Sequence, residues 1–360
     1  MKLSQSQNIV ESNINFNMDL SDGRDAQYIV PMLIGGSGLG KTTMVKEATA
    51  NVSEKRGVPM ECRIVSLAQY DPTEIAGWTI PSEDRSHMVR MRPDWMPTDG
   101  YGVIFLDELP QAIVACQNIA AQITNERRVG PHHLPDGWVV VAAGNRMSDR
   151  AGTNQMPSHL KDRMMFLEIE ADLDDTLAYF NSVGVDFRVN SFLRFRPEYL
   201  HKFDRDANAC PSPRSWERVS SILSWGLDPV CQLEAIAGQV GRAAAADFNG
   251  FLKIHETCPD IDALISDPMG SDIAEDPAVA YAITANLAFR MTDKNAHNII
   301  KYLMRLPQKE FAVFCVKDAL SRNKDLKKVK AVIRFEGRPI YNCVLYDFRP
   351  YRFDLCNQNI

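Results

Sequence analysis

Residues 35–44 read GGSGLGKTTM and follow directly on the apolar run YIVPMLI at 28–34. Glycine inside a helix or strand costs about 0.5–1 kcal/mol relative to alanine, so four glycines within six positions need a reason. The segment Gly35-Gly36-Ser37-Gly38-Leu39-Gly40-Lys41-Thr42 fits G-x-x-x-x-G-K-[ST], behind an apolar strand and at the opening of the helical stretch KTTMVKEATANVSEK (41–55). In that context glycines let the backbone wrap a phosphate with its N–H groups pointing inward. The helix N-terminus adds partial positive charge. Lys41 is expected to reach the β- and γ-phosphates of a nucleotide and the Thr42 hydroxyl to ligate Mg²⁺. Thr43 closes the set of candidate nucleotide-binding residues.

Outward from this loop, short apolar runs alternate with helical stretches as far as about residue 170. The runs are ECRIVSL (61–67), GVIFLDEL (102–109), GWVVVAAGN (137–145) and RMMFLEIE (163–170), with the helical stretch PQAIVACQNIAAQITNERR at 110–128. Continuous apolar runs spaced by helices predict a parallel sheet covered on both faces. Pro31 is awkward in a central strand and is expected near the strand's start or at a local departure from ideal pairing. Residues 1–27 read as a polar lead-in with one weak strand. From about 171 to 325 apolar residues recur at three-to-four spacing, as in LEAIAGQVGRAAAADFNGFLKI and NAHNIIKYLMRLP, which predicts helices. The fold class expected is therefore α/β: a P-loop αβα sandwich on a parallel sheet, followed by helical parts. The divisions read are a lead-in at 1–27, a nucleotide-binding α/β domain at 28–172, a helical lid at 173–250 and a helical extension at 251–325. A tail at 326–360, broken by Gly-Arg-Pro, reads as a hairpin or a docked segment.

The chain has 360 residues, 45% hydrophobic and 24% charged, the balance of an ordinary globular protein. A net charge of −6 argues against a broadly basic nucleic-acid binder. No stretch of 18 apolar residues predicts a membrane span, and the N-terminus lacks the basic-then-apolar pattern of a signal peptide. The eight cysteines form no C-x-x-C pair and no zinc spacing, as expected of reduced thiols in a cytoplasmic protein.

Five further residues carry chemistry. Val103-Ile104-Phe105-Leu106-Asp107-Glu108 is an apolar strand ending in two carboxylates, expected beside the phosphate loop. There Asp107 would hold Mg²⁺ and Glu108 would orient and polarise an attacking water. Asn145, at the tip of WVVVAAGN, is a candidate to hydrogen-bond that water or the γ-phosphate. Arg163 precedes the strand of RMMFLEIE and is a candidate arginine finger reaching a neighbouring protomer's site. Arg214, in the helix start PSPRSWERV, is a candidate second γ-phosphate sensor.

In this order the pieces resemble the AAA+ ATPases and, within them, the MoxR-like branch with its phage and bacterial relatives. The resemblance covers about 28–230 and rests on FLDELPQA, LPDGWVVVAAGNR and SPRSWE. At 160–166 the chain has LKDRMMF where relatives commonly read LDRF. The resemblance implies Mg²⁺-dependent ATP hydrolysis by a homo-oligomeric ring, usually a hexamer, with sites between protomers. It also implies chaperone-like remodelling of a protein client, often with a von Willebrand A-type partner. Whether Arg214 acts on its own chain's nucleotide or on a neighbour's stays open. The alternative is a nucleic-acid motor like the GTP-using restriction subunits, against which the acidic charge weighs mildly. Residues 77–95 read as strand, polar turn, strand where this branch carries an insert, and 126–138 as a second hairpin. Trp78, Arg90 and His132 are the candidate substrate contacts within them.

Overall fold

The five apolar runs form one sheet in the computed structural model of the chain. Its strands are β1 (Val30–Gly35), β2 (Glu61–Ser66), β3 (Gly102–Asp107), β4 (Trp138–Gly144) and β5 (Met164–Ile169). They run in the order β2-β3-β4-β1-β5, every neighbouring pair parallel. The structure describes residues 1–19, 28–146, 154–204, 206–256, 258–308, 310–323 and 326, and the backbone of 334–335 and 338–339.

Alternation sorts the side chains into two layers. Leu33, Val103, Phe105, Val139 and Val141 pack against α1 (Leu3–Asp19) and α2 (Lys41–Arg56). Met32, Ile104, Leu106, Val140 and Ala142 pack on the opposite face against α3 (Val114–Glu126), through Cys116, Ala120 and Ile123. All seven residues of β4 are buried, whereas the edge strands β2 and β5 mix exposed with covered positions. This is the expected αβα sandwich. Pro31 pairs with Met165 of β5, while pairing to β4 begins only at Met32, so the proline meets one ladder rather than two.

The lead-in departs from expectation: it forms the 17-residue helix α1 rather than a weak strand. Val10, Ile14 and Met18, spaced by four, bury against α2 and the sheet. Asn13 and Asn17 donate to the Ile29 carbonyl at 2.9 and 3.2 Å, fixing the helix to the start of β1. Residues 110–128 also differ from one continuous helix. Pro110 sits in a 3₁₀ turn, Leu109–Gln111; the backbone is extended at Ala112 and Ile113, and α3 begins at Val114. Both insert hairpins form, Thr79–Pro81 with Met88–Arg90 and Arg128–Val129 with His132–His133. In the tail, Arg334–Phe335 pairs antiparallel with Arg338–Pro339; the rest of that segment beyond Leu326 lies outside the described residues.

The chain divides into two compact units, Met1–Asp175 with His201–Ser215, and Thr176–Leu200 with the chain from Trp216 onward. Among the described residues the second unit is mainly helical, with two apolar centres. In one, Phe192 packs on Trp216, Phe248 and Phe251 with ring centroids 5.1–5.6 Å apart. In the other, Leu287, Ile299, Tyr302, Leu303 and Cys315 are fully buried. No described helix is long and apolar enough to cross a membrane.

His255 of the second unit lies edge-on to Phe251 at 4.6 Å, its Nδ1 accepting from Asn286 Nδ2 at 2.9 Å and its Nε2 buried without a partner among the described residues. Burial, reinforced by the Arg188 guanidinium, pushes the imidazole down to about 4. The unfolded chain therefore takes up this proton near pH 6.5 and the folded chain only near 4, so stability falls as pH is lowered between those values. Over that whole span the loss is on the order of 3–4 kcal/mol, at about 1.4 kcal/mol per pH unit. Urea midpoints followed at pH 7 and pH 5 should separate further in the wild type than in His255→Gln. Equal separations would show that this ring does not titrate across unfolding.

Candidate functional site

The strand order brings the carboxyl ends of β3, β4 and β1 side by side, where open α/β sheets gather their ligand sites. The loop after β1 turns through Gly38 and Gly40, at φ 77° and 87°, a backbone region that side-chain-bearing residues rarely adopt. Gly40 is the N-cap of α2, so the helix begins at Lys41. The Lys41 ammonium folds back inside the loop. Its Nζ donates to the Gly35 and Gly36 carbonyls at 2.8 and 3.0 Å and to Asn145 Oδ1 at 3.3 Å, and the residue is only 9% exposed. Leu39 anchors the loop in the core beside Val45 and Ile169. Ser37 and Thr43 face solvent.

From β3, Asp107 Oδ2 accepts from Thr42 Oγ1 at 2.9 Å, and its Oδ1 accepts from the Glu108 N–H at the same distance. Glu108 is in the left-handed region, φ 57°, which is uncommon for a residue with a side chain. Its half-buried carboxylate has no hydrogen-bond partner among the described residues. One hydroxyl from the first turn of α2 and one carboxylate from the end of β3 thus converge, with an ammonium and a carboxamide beside them. Among the described residues no group of three or more His, Cys, Asp or Glu could hold a metal. A divalent ion at Thr42 and Asp107 would complete its shell with phosphate and water oxygens, the usual pattern for Mg²⁺.

The two arginines lie in different surroundings. Arg163 is exposed, in the turn before β5, without a polar partner among the described residues. Val30 and Met164 are register partners, so Arg163 stands at the amino edge of the sheet. Six residues of strand, about 20 Å, separate it from the glycine-rich loop. Arg214 is at the start of helix Pro213–Leu223, and its backbone N–H donates to the Gly38 carbonyl of the same chain at 3.3 Å. Its side chain is exposed.

Sequence reading missed three neighbours. The His201 ring packs against Gly36 and the Ser212 hydroxyl against Gly38, closely enough that a Cβ on either glycine would meet them at 2.7–2.8 Å. Nothing in the local sequence marks His201. Gln111 follows Glu108 by three residues and lies against Asn145, which it hydrogen-bonds once its carboxamide is oriented to match its neighbours; its signal was the Asp-Glu-Leu-Pro-Gln run itself.

The two insert hairpins touch through His132 Nε2, which donates to the Arg90 carbonyl at 2.7 Å. Trp78 is 64% exposed and stands with the exposed Ile80, Met88 and Met91, whereas Arg90 and His132 are half-buried. Arg127 is not a surface arginine. It stacks over the Tyr28 ring at 4.1 Å and donates to the Trp138 and Pro135 carbonyls. Arg128 is held by Glu126 and the Gly130 carbonyl.

No protein-family model matches the chain, and no curated protein matches it. Among solved structures it is similar to the RuvB Holliday junction branch migration motor of Thermotoga maritima, with 13% identity over 72% of this chain and 80% of that one, TM-score 0.34. It is also similar to the ORC1 protein of Aeropyrum pernix solved in complex with DNA, with 13% identity over 88% and 93% of the two chains, TM-score 0.35. A third is PCH-2 of C. elegans, with 11% identity over 69% and 67%, TM-score 0.34. At such identities these likenesses say nothing of substrate.

Proposed function

We propose that this chain is a Mg²⁺-dependent AAA+ ATPase of the MoxR-like type, working as a ring, by resemblance a hexamer, that remodels or assembles a protein partner. A von Willebrand A-type domain is the partner class the resemblance suggests. The observation that carries the reading is the meeting of Lys41, Thr42, Asp107 and Asn145 at one sheet edge, with Thr42 Oγ1 2.9 Å from Asp107 Oδ2 and Lys41 Nζ 3.3 Å from Asn145 Oδ1. These groups fit a nucleotide triphosphate with its cation: hard oxygen donors for the ion, a buried ammonium for phosphate charge. When bound, the ion neutralises charge on the phosphate oxygens.

The chain's own residues supply the rest. The loop N–H groups after Gly36 and the α2 N-terminus bind phosphate. Lys41 exchanges carbonyl partners for phosphate oxygens. Glu108 orients the attacking water and accepts its proton, its carboxylate being uncommitted to any described partner. Asn145 donates to that water or to the γ-phosphate. Arg214, tethered at Gly38, serves the nucleotide of its own chain. Arg163, at the far edge of the sheet, serves a neighbour's. The exposed Trp78, Ile80, Met88 and Met91 favour an apolar protein client over nucleic acid. Confinement of Arg127 and Arg128 in local contacts points the same way.

At 100-fold excess over its dissociation constant, ATP should stabilise the wild type by about 2.7 kcal/mol. Lys41→Ala should lose that upshift, while Glu108→Gln should keep it and hydrolyse on the order of 10²-fold more slowly. Equal upshift in Lys41→Ala, or normal turnover in Glu108→Gln, would overturn the assignment.

Mixing separates the arginines. Arg163→Ala protomers combined with Lys41→Ala protomers should regain ATPase activity, because some interfaces then join an intact loop to an intact finger. Arg214→Ala mixed with Lys41→Ala should regain none, since both defects fall on their own chain's nucleotide. The opposite pattern would exchange the two roles.

The ATPase rate should be unaffected by DNA or RNA. Stimulation by either that falls steeply with salt, the signature of counterion release, and that is lost in Arg90→Ala would replace the protein client with a nucleic-acid one.

A further inference from the structure

Gln111 lies beside the proposed catalytic groups Glu108 and Asn145. The turn that carries it rests on the end of β4: a Cβ on Gly144 would overlap the Pro110 ring, so only glycine admits the turn this close. The next residue in each strand of chain then meets the other. With the Gln111 carboxamide assigned the orientation its neighbours require, Nε2 donates to the Glu108 carbonyl at 3.3 Å, and Oε1 accepts from Asn145 Nδ2 at 2.9 Å and from the Asn145 N–H at 3.3 Å. The reverse orientation of this carboxamide would set oxygen against oxygen and donors against donors.

Asn145 is thereby fixed from two sides. Its Oδ1 accepts from the Lys41 ammonium at 3.3 Å, and one hydrogen of its Nδ2 goes to Gln111. The second hydrogen on Nδ2 is the one left to donate elsewhere. Turning the Asn145 carboxamide over would aim its NH₂ at the ammonium and its oxygen at the Gln111 oxygen, losing both bonds. The Gln111 oxygen cannot follow, because its own NH₂ is held by Glu108.

We infer that Gln111 is a positioning residue of the hydrolytic site, locking the Asn145 carboxamide so that its free N–H faces the reacting phosphate and water, and joining Asn145 to the backbone of Glu108. The inference rests on the ATPase reading proposed above. It adds a third member to the pair Glu108 and Asn145, one that acts through Asn145 rather than on the nucleotide.

Gln111→Met keeps the length of the side chain and removes its hydrogen bonds. It should lower kcat about tenfold, the effect of one lost hydrogen bond in the transition state. Binding of a fluorescent ATP analogue, and the thermal midpoint without nucleotide, should stay at wild-type values. Gln111→Glu keeps an acceptor for Asn145 and should retain more activity than Gln111→Met. In an Asn145→Ala background, Gln111→Met should cost nothing further, since its target is gone. Additive losses in the double variant would overturn the inference, as would a Gln111→Met protein that hydrolyses normally or that loses nucleotide binding and thermal stability together. A wild-type chain that binds ATP and never hydrolyses it would remove the ATPase reading and this inference together. A hydrolysing wild type with additive variants would remove the inference alone.

Discussion

A cation taken nearly out of water must be met by oxygen, and in this molecule that cation is Lys41. An uncompensated buried ammonium costs several kcal/mol, so its three donors dictate what surrounds them. Two are met by carbonyls of the loop that precedes it, Gly35 and Gly36, and one by the Asn145 side chain. The first two demands curl the loop back over its own helix, which requires the left-handed turns at Gly38 and Gly40. The third ties the loop to the end of β4, the neighbour of β1 in the sheet. Through Gln111 and Glu108 the tie reaches β3 as well. Three strand ends are held in register by side chains that would otherwise have no reason to meet.

The parts of this arrangement legible in the sequence were those with strong local signals. Wholly apolar runs such as WVVVAAG have one stable use in a chain of this kind, a strand covered on both faces, and β4 is buried along its full length. The glycine spacing, the lysine and the helix that follows predicted a tight turn between strand and helix, and that turn forms beside the Asp-Glu strand end. What stayed hidden was coded across distance or by weak patterns. The three apolar residues of α1 that meet the sheet are diluted among Ser, Gln and Asn, and the polar ones earn their place through contacts to Ile29 and Lys55 that no window of sequence contains. Nothing near Arg127 in sequence announces Tyr28 as its stacking partner. The partners His201 and Ser212 reach the loop from more than 150 residues downstream.

The second unit relies on different physics. Asp318, almost fully buried, is matched by two arginines, Arg194 at 3.1 Å and Arg322 at 3.0 Å. Both guanidinium groups also lie over aromatic rings, Phe314 and Phe289. A buried carboxylate with two such partners is strongly destabilising to break but weak as net stabilisation. Its value lies in register: helices Phe187–Phe195 and Glu310–Arg322 meet at this carboxylate, and sliding either would strand it.

The separation of Arg163 from the phosphate loop by the length of β5 has a consequence for how such a molecule behaves in solution. Under the proposed reading, one chain carries the receiving half of one site and the donating half of another, and the rigid strand between them prevents the halves from closing on each other. An isolated chain would be able to hold nucleotide and unable to consume it. Specific activity would then rise with protein concentration until assembly saturates. A single defective subunit would silence not only its own pocket but the pocket next door, so loss of function would spread further than the fraction of damaged chains. The stiffness of six residues of parallel strand would be what makes turnover a property of the assembly.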